Sequence, residues 1–93
     1  MIMSFKDSET EKVWKGDFSK KLPNDIQDTA RRKLRMLNNS SNINDLRLPP
    51  SNNLEILKGD RKGFFSIRVN KQWRICFKWI QCHCFEVTIV DYH

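Results

Sequence analysis

Residues 64–79 read FFSIRVNKQWRICFKW, and the fold turns on how this stretch doubles back. Two runs rich in β-branched and aromatic residues, 64–69 and 73–79, flank Asn70-Lys71-Gln72, a polar segment of three-residue hairpin length. That loop sets Val69 opposite Trp73, Arg68 opposite Arg74, Ile67 opposite Ile75 and Phe65 opposite Phe77. Side chains alternate across a strand, so Phe65, Ile67, Val69, Trp73, Ile75 and Phe77 share one face, the expected core. Arg68 and Arg74 are then directly paired on the other face, with Phe64 opposite Lys78 beside them. Like charges opposed across strands destabilise a sheet. The pair therefore calls for an acid or an anionic ligand between them, or for two side chains splayed into solvent.

The charge distribution around the hairpin points the same way. Between Lys58 and Lys78 stand Lys58, Arg61, Lys62, Arg68, Lys71, Arg74 and Lys78, against the single acid Asp60, a net +6 that equals the formal charge of the whole chain. The remaining bases and acids cancel. Charge concentrated in this way fits a polyanionic partner. A surface Phe among bases is the combination that grips single-stranded nucleic acid, with bases stacked and phosphates ion-paired.

Working outward, Leu54 to Lys58 has a period of two and reads as a further strand ending at Gly59, with GDRKG as the connection. Residues 80–84 turn the chain again and 85–91 form a last strand. Upstream, Ile2, Met3 and Phe5 look like an opening strand. Ser8 and Glu11 have capping-box spacing, so a first helix is expected near Glu9, burying Val13 and Trp14 and stopping at Gly16. A second helix is expected from Leu22-Pro23, with Leu22, Ile26, Ala30, Leu34 and Leu37 on its buried stripe. Asp25 and Asp28 early in it, and Arg31, Arg32, Lys33 and Arg35 later, complement the helix macrodipole, a sufficient structural reason for that basic run. Asn38 to Asn42 breaks the helix, and one short helical turn falls within 43–48. The expected architecture is α+β, in the order β-α-α-β-β-β-β, with two N-terminal helices packed on a mainly antiparallel sheet. Residues 1–93 make a single domain, too short for a second core.

Composition narrows the class further. Hydrophobic residues at 39% and charged residues at 30% suit a folded globular chain. No apolar run suits a signal peptide or a membrane span, so a cytoplasmic protein with no membrane partner is expected. Three cysteines, an odd number, do not suggest a disulfide framework. Cys82-His83-Cys84 packs its three potential ligands too tightly for a tetrahedral zinc site and reads as a hairpin tip, so no metal and no cofactor is expected.

The chain ends Asp91-Tyr92-His93, placing a carboxylate, a phenol and an imidazole in consecutive positions near the basic sheet. Histidine is the side chain best suited to proton transfer near neutrality. RNA cleavage by its own 2′-OH needs a base, cations around the phosphorus and an acid for the 5′-oxygen. All three residue types are present. Small basic sheets that only bind RNA remain the competing reading.

The N-terminal IMSF, the block LKGDRKGFFSIRVNKQWRICF at 57–77, the LRLPPSNNLE approach at 46–55 and the terminal VDYH resemble the HigB-type toxins of the RelE/ParE superfamily of bacterial type II toxin–antitoxin systems. The resemblance runs along essentially the full chain. It implies a RelE-like fold and an mRNA interferase, an endoribonuclease that cuts message in the ribosomal A site. No metal is expected in that reaction, since the cations supply its charge and the sequence offers no carboxylate cluster, and a 2′,3′-cyclic phosphate is the expected product because the 2′-OH is the built-in nucleophile. It also implies neutralisation by a HigA-type helix-turn-helix antitoxin, with operator DNA reached only through that antitoxin. The catalytic positions it implies are Lys58, Arg74, Asp91, Tyr92 and His93, with Glu55 where some relatives carry a His. Glu55 would serve as a base or hold the arginines in place. The RNA-binding positions are Arg61, Lys62, Phe64, Arg68, Lys71 and Lys78. A non-catalytic RNA- or ribosome-binding module, or a weakly active toxin acting mainly through antitoxin and ribosome binding, is the alternative.

Overall fold

The computed structural model describes residues 1–91; Tyr92 and His93, and the roles expected of them, lie outside the described residues. Four strands, β1 (Glu55–Ile56), β2 (Phe64–Arg68), β3 (Trp73–Ile80) and β4 (His83–Asp91), form one antiparallel sheet in the order β1-β2-β3-β4. Two helices, α1 (Ser8–Trp14) and α2 (Asn24–Asn39), pack on one face of it. This is the expected α+β arrangement.

The β2–β3 hairpin adopts the expected register: Phe64 faces Lys78, Phe65 faces Phe77, Ile67 faces Ile75 and Arg68 faces Arg74. Ile67, Ile75 and Phe77 are completely buried, and Phe65, Val69 and Trp73 pack against them, so the core face is the one the alternation demands. From the helices, Val13, Ile26, Ala30, Leu34 and Leu37 close the same core. Burying a large apolar side chain contributes about 1.5–3 kcal/mol, and this one cluster joins every strand but β1 to both helices.

Several local expectations give way to stronger interactions. Asp7, not Ser8, caps α1: its Oδ1 accepts from the Thr10 amide at 2.7 Å, while its Oδ2 accepts from the Thr88 hydroxyl. A carboxylate has two oxygens, one to cap the helix and one to hold β4, where the Ser8 hydroxyl has one. Thr10 adds a second tie, its Oγ1 accepting from the Ile89 amide at 2.9 Å. Asp7→Ala removes both bonds and is expected to destabilise the fold by about 2 kcal/mol. In a domain of this size that lowers the thermal midpoint by about 10 °C. An unchanged melting curve would show that α1 docks on β4 without this carboxylate.

Gly16, with φ at +89°, ends α1 as expected. Arg31 Nε donates at 2.8 Å to the Val13 carbonyl, which also accepts from the Gly16 amide at 3.1 Å, and so ties α2 to the end of α1. Leu22 precedes α2 rather than joining it, with Pro23 at the cap position. The helix runs on to Asn39, and its last turn contains no base. Macrodipole effects fade within the last turn, so they do not account for Arg32 and Lys33, which sit in mid-helix.

The expected opening strand is reduced to two isolated parallel bridges, Ile2 with Cys84 and Phe5 with Val87. Between them β4 carries a bulge: Glu86 and Val87 stand against the single residue Phe77, and Glu86 has φ at +53°. Its amide turns to the Ser4 hydroxyl at 2.9 Å, which interrupts a regular ladder. The strand expected over 54–58 shrinks to β1, because Asn53 enters in the left-handed region and a 3₁₀ turn begins at Gly59. The last strand starts at His83, two residues early, because Gln81 and Cys82 make the turn alone with φ at +48° and +69°. Among the described residues no helix is long and apolar enough to cross a membrane.

Candidate functional site on the outer face of the sheet

The face of the sheet turned away from the helices carries Phe64, Ser66, Arg74, Cys76, Lys78 and Thr88 by alternation. A cleft of about 230 Å³ opens on it, lined by Lys6, Asp60, Arg61, Phe64, Cys76, Glu86, Thr88 and Val90. Arg61 reaches it from the 3₁₀ turn Gly59–Arg61, and Lys6 from the N-terminal segment alongside β4. Lys78 Nζ lies 5.9 Å from the centroid of the Phe64 ring, the cross-strand neighbour that the hairpin register anticipates. Burial pushes the Cys76 thiol up, so this floor residue stays protonated and behaves as an apolar wall rather than a nucleophile. The cleft thus offers an aromatic wall, with the cations Lys6 and Arg61 set among the carboxylates of Asp60 and Glu86.

Arg74 sits beside it and is enclosed, only 5% exposed. Its Nε donates to Ser66 Oγ at 2.8 Å, and its Nη2 donates to the Asn53 carbonyl at 2.6 Å and the Ser66 carbonyl at 3.2 Å. Nη1 lies 3.6 Å from Glu55 Oε1. Glu55 is therefore the acid that the opposed arginines call for, and it meets one of them. Arg68 turns away, its Nε donating to the Asn70 carbonyl at 3.0 Å. The like-charged pair is resolved by sending the two guanidinium groups to different partners. Glu55 faces Ser66 across β1 and β2, so it shares the outer face with Arg74, and its side chain remains 43% exposed.

Asp91 is placed differently. Arg74 faces Val90, whereas Asp91 faces Trp73, so alternation sets the Asp91 side chain on the opposite face from Arg74. Its carboxylate accepts from Gln72 Nε2 at 3.0 Å, at the rim beside the hairpin loop. Lys58 is exposed just after β1, and Lys62 is exposed beyond the 3₁₀ turn.

The basic residues separate into two groups. Arg61 lines the outer cleft with Phe64, and Lys78 stands over the Phe64 ring. Arg68 and Lys71 instead line a second groove, at the turn end of the hairpin against α2. Lys6, Asp60 and Glu86 were not singled out in the sequence. The bulge that brings Glu86 into the cleft has no local signature, while Lys6 follows Phe5 and could be found by alternation alone. Among the described residues no three His, Cys, Asp or Glu side chains gather as metal ligands. Cys84 is buried in the core, its thiol pushed up to about 11, whereas Cys82 is exposed.

Residues 3–93 match the family model described as RelE-like toxin of type II toxin-antitoxin system HigB. A Vibrio cholerae protein called toxin HigB-1 is 42% identical over 81 residues, 86% of this chain and 85% of that one. A Proteus vulgaris protein called endoribonuclease HigB is 30% identical over 93 residues, covering both chains completely. In three dimensions the chain superposes on the crystal structure of YafQ from E. coli with a TM-score of 0.64. That match covers 98% of this chain and 91% of the other at 16% identity, a likeness of fold.

Proposed function

Because the chain belongs to the RelE-like HigB toxins of type II toxin–antitoxin systems, we propose that it is an endoribonuclease whose substrate lies across the outer face of the sheet. The observation that carries this reading is the outer cleft, where Phe64, with Lys78 over its ring, shares one opening with Lys6 and Arg61. An aromatic wall and cations at its rim suit a single-stranded nucleotide, the base stacked and the phosphate ion-paired. The full-length relative named an endoribonuclease supports the same chemistry.

In the proposed step a base takes the 2′-OH proton, the 2′-oxygen attacks phosphorus, and the bond to the 5′-oxygen breaks as that oxygen receives a proton. The products are a 2′,3′-cyclic phosphate and a 5′-OH. Glu55 is the base, since it lies on the outer face with Arg74 at its Oε1 and is partly open to solvent. Lys58 and Arg61 stabilise the charge that develops on the phosphoryl oxygens, the part that a metal ion plays elsewhere. Arg74 orients Glu55 and the β1 approach. Asp91, on the other face, positions the hairpin end through Gln72. His93 is the proposed acid and Tyr92 the stacking or orienting group. The message is met in the ribosomal A site, and a HigA-type antitoxin neutralises the toxin and carries the pair to operator DNA.

Ribosomes programmed with a defined message and treated with this chain are expected to yield new 5′-OH ends by primer extension, with cyclic phosphate on the upstream fragments. Phe64→Ala is expected to weaken binding of a short single-stranded RNA by about 1–3 kcal/mol, roughly five- to 150-fold. Ribosome binding without new ends would favour the non-catalytic module, a reading to which the enclosure of Arg74 lends some weight. Wild-type affinity in Phe64→Ala would remove the cleft from the RNA path.

A further inference from the structure

Two carboxylates line the outer cleft and take no part in the proposed cleavage, those of Asp60 and Glu86. A cleft built only to hold phosphate gains nothing from acids, which repel it. Nor do they act as counter-ions. Among the described residues neither carboxylate forms a hydrogen bond or ion pair, although Lys6 and Arg61 line the same opening. We propose that Glu86 is a specificity-determining residue: it accepts from the exocyclic amine of the nucleobase stacked on Phe64, and so selects an amino-bearing base over uracil. This rests on the endoribonuclease reading above and adds the base preference of the same site.

The β4 bulge is what brings Glu86 there. Phe85 faces Lys78, so a regular ladder would set residue 86 opposite the buried Phe77, on the core side of the sheet. With the extra residue, Glu86 lines the outer cleft, Val87 stays completely buried, and Thr88 returns to the outer face opposite Cys76. The left-handed φ of +53° disfavours a residue with a Cβ. The N-terminal segment holds it nonetheless: the Glu86 amide donates to Ser4 Oγ at 2.9 Å and the Val87 amide to the Ser4 carbonyl at 3.1 Å. The Glu86 carboxylate therefore enters the cleft from a fixed backbone.

Neighbouring polar groups decide what that carboxylate reads. Thr88 donates its hydroxyl proton to the Asp7 carboxylate, so it turns only lone pairs to the cleft. Carboxylates only accept, and the protonated Cys76 thiol is a weak donor. The strong donors, Lys6 and Arg61, are cations suited to phosphate. A base whose edge meets Glu86 and Thr88 must therefore bring donors of its own. Adenine and cytosine bring an exocyclic amine, and guanine brings an amine beside a ring N–H. Uracil brings one N–H between two carbonyl oxygens, which would face the lone pairs of Glu86 and Thr88. Phe64 stacks any base and makes no such distinction.

The test uses the full chain and two labelled oligomers followed by anisotropy, one of adenosine and one of purine riboside, the same purine without its amine. The unmodified chain is expected to bind the adenosine oligomer about tenfold tighter. Glu86→Gly removes the carboxylate and suits the left-handed backbone, so the fold is kept, and it should bring the two affinities within twofold of each other. The lost negative charge strengthens both oligomers alike and cancels in their ratio. A ratio below twofold in the unmodified chain, or the full preference retained in Glu86→Gly, overturns the assignment. Failure of either oligomer to bind overturns it together with the RNA reading of the cleft. Message cleavage is scored separately. Cleavage without a base preference removes the Glu86 role alone, and a preference that depends on Glu86 without cleavage removes the endoribonuclease reading alone.

Discussion

Replacing Arg74 by alanine is expected to destabilise the protein by about 2–4 kcal/mol before it reveals anything about catalysis. The guanidinium makes three hydrogen bonds to Ser66 and Asn53 in addition to the Glu55 contact, and it is almost completely enclosed. Hydrogen bonds from a charged group contribute about 1.5–3 kcal/mol each, and removing one partner leaves the other without its bond. Losing one side of a fully buried ion pair costs about 3–5 kcal/mol. The lower range applies here because Glu55 keeps access to water. With a urea slope of about 1–1.5 kcal/mol/M for a small domain, the unfolding midpoint should fall by about 2 M. Arg74→Met, which keeps much of the packed stem, should lose slightly less. A midpoint within about 0.3 M of wild type would mean that Ser66 and Asn53 find other partners. The practical consequence is that loss of toxicity in Arg74→Ala cannot identify a catalytic residue unless the variant is shown to remain folded at the assay temperature.

The sequence made the hairpin and α2 legible because both are written in side-chain periodicity. A three-residue loop fixes the register from Phe64 to Lys78, and the four-residue recurrence of Ile26, Ala30 and Leu34 fixes the buried stripe. Whatever depends on a distant partner was not legible. Asp7 wins the cap because Thr88, far along the chain, needs the same carboxylate. Arg74 looks like a solvated surface base until Asn53 folds over it. The Glu86 bulge moves β4 by one residue, and no Gly or Asn marks it. That shift leaves Asp91 opposite Trp73, on the other face from the Arg74 it was expected to serve. The basic run in α2 misled differently. Its charges read as complements to the helix dipole, but the helix continues past them and two of them line the groove.

Glu55→Gln should separate chemistry from stability most cleanly, because the same change that removes a base preserves the shape and the hydrogen-bond acceptor facing Arg74. The ion pair is long, at 3.6 Å, and the carboxylate is 43% exposed, which places it near the surface class worth less than about 1 kcal/mol. Stability should therefore change little. Cleavage should fall by about 10²–10⁴-fold, the usual contribution of one positioned general base. Asp91→Asn is the matched comparison: asparagine still accepts from Gln72, and a carboxylate on the opposite face should be dispensable for proton abstraction, so cleavage should stay within about tenfold of wild type. If Asp91→Asn abolishes cleavage and Glu55→Gln does not, the base assignment is reversed and the terminal carboxylate must reach the substrate by a route that the register of β3 and β4 does not suggest. His93→Ala completes the set. As the proposed acid it should lower the rate by a comparable factor when replaced, with added imidazole restoring part of it. Full cleavage in both Glu55→Gln and His93→Ala would remove both groups from proton transfer, whereas toxicity without any cleavage by the unmodified chain would mean that the toxin acts by occupying its RNA rather than cutting it.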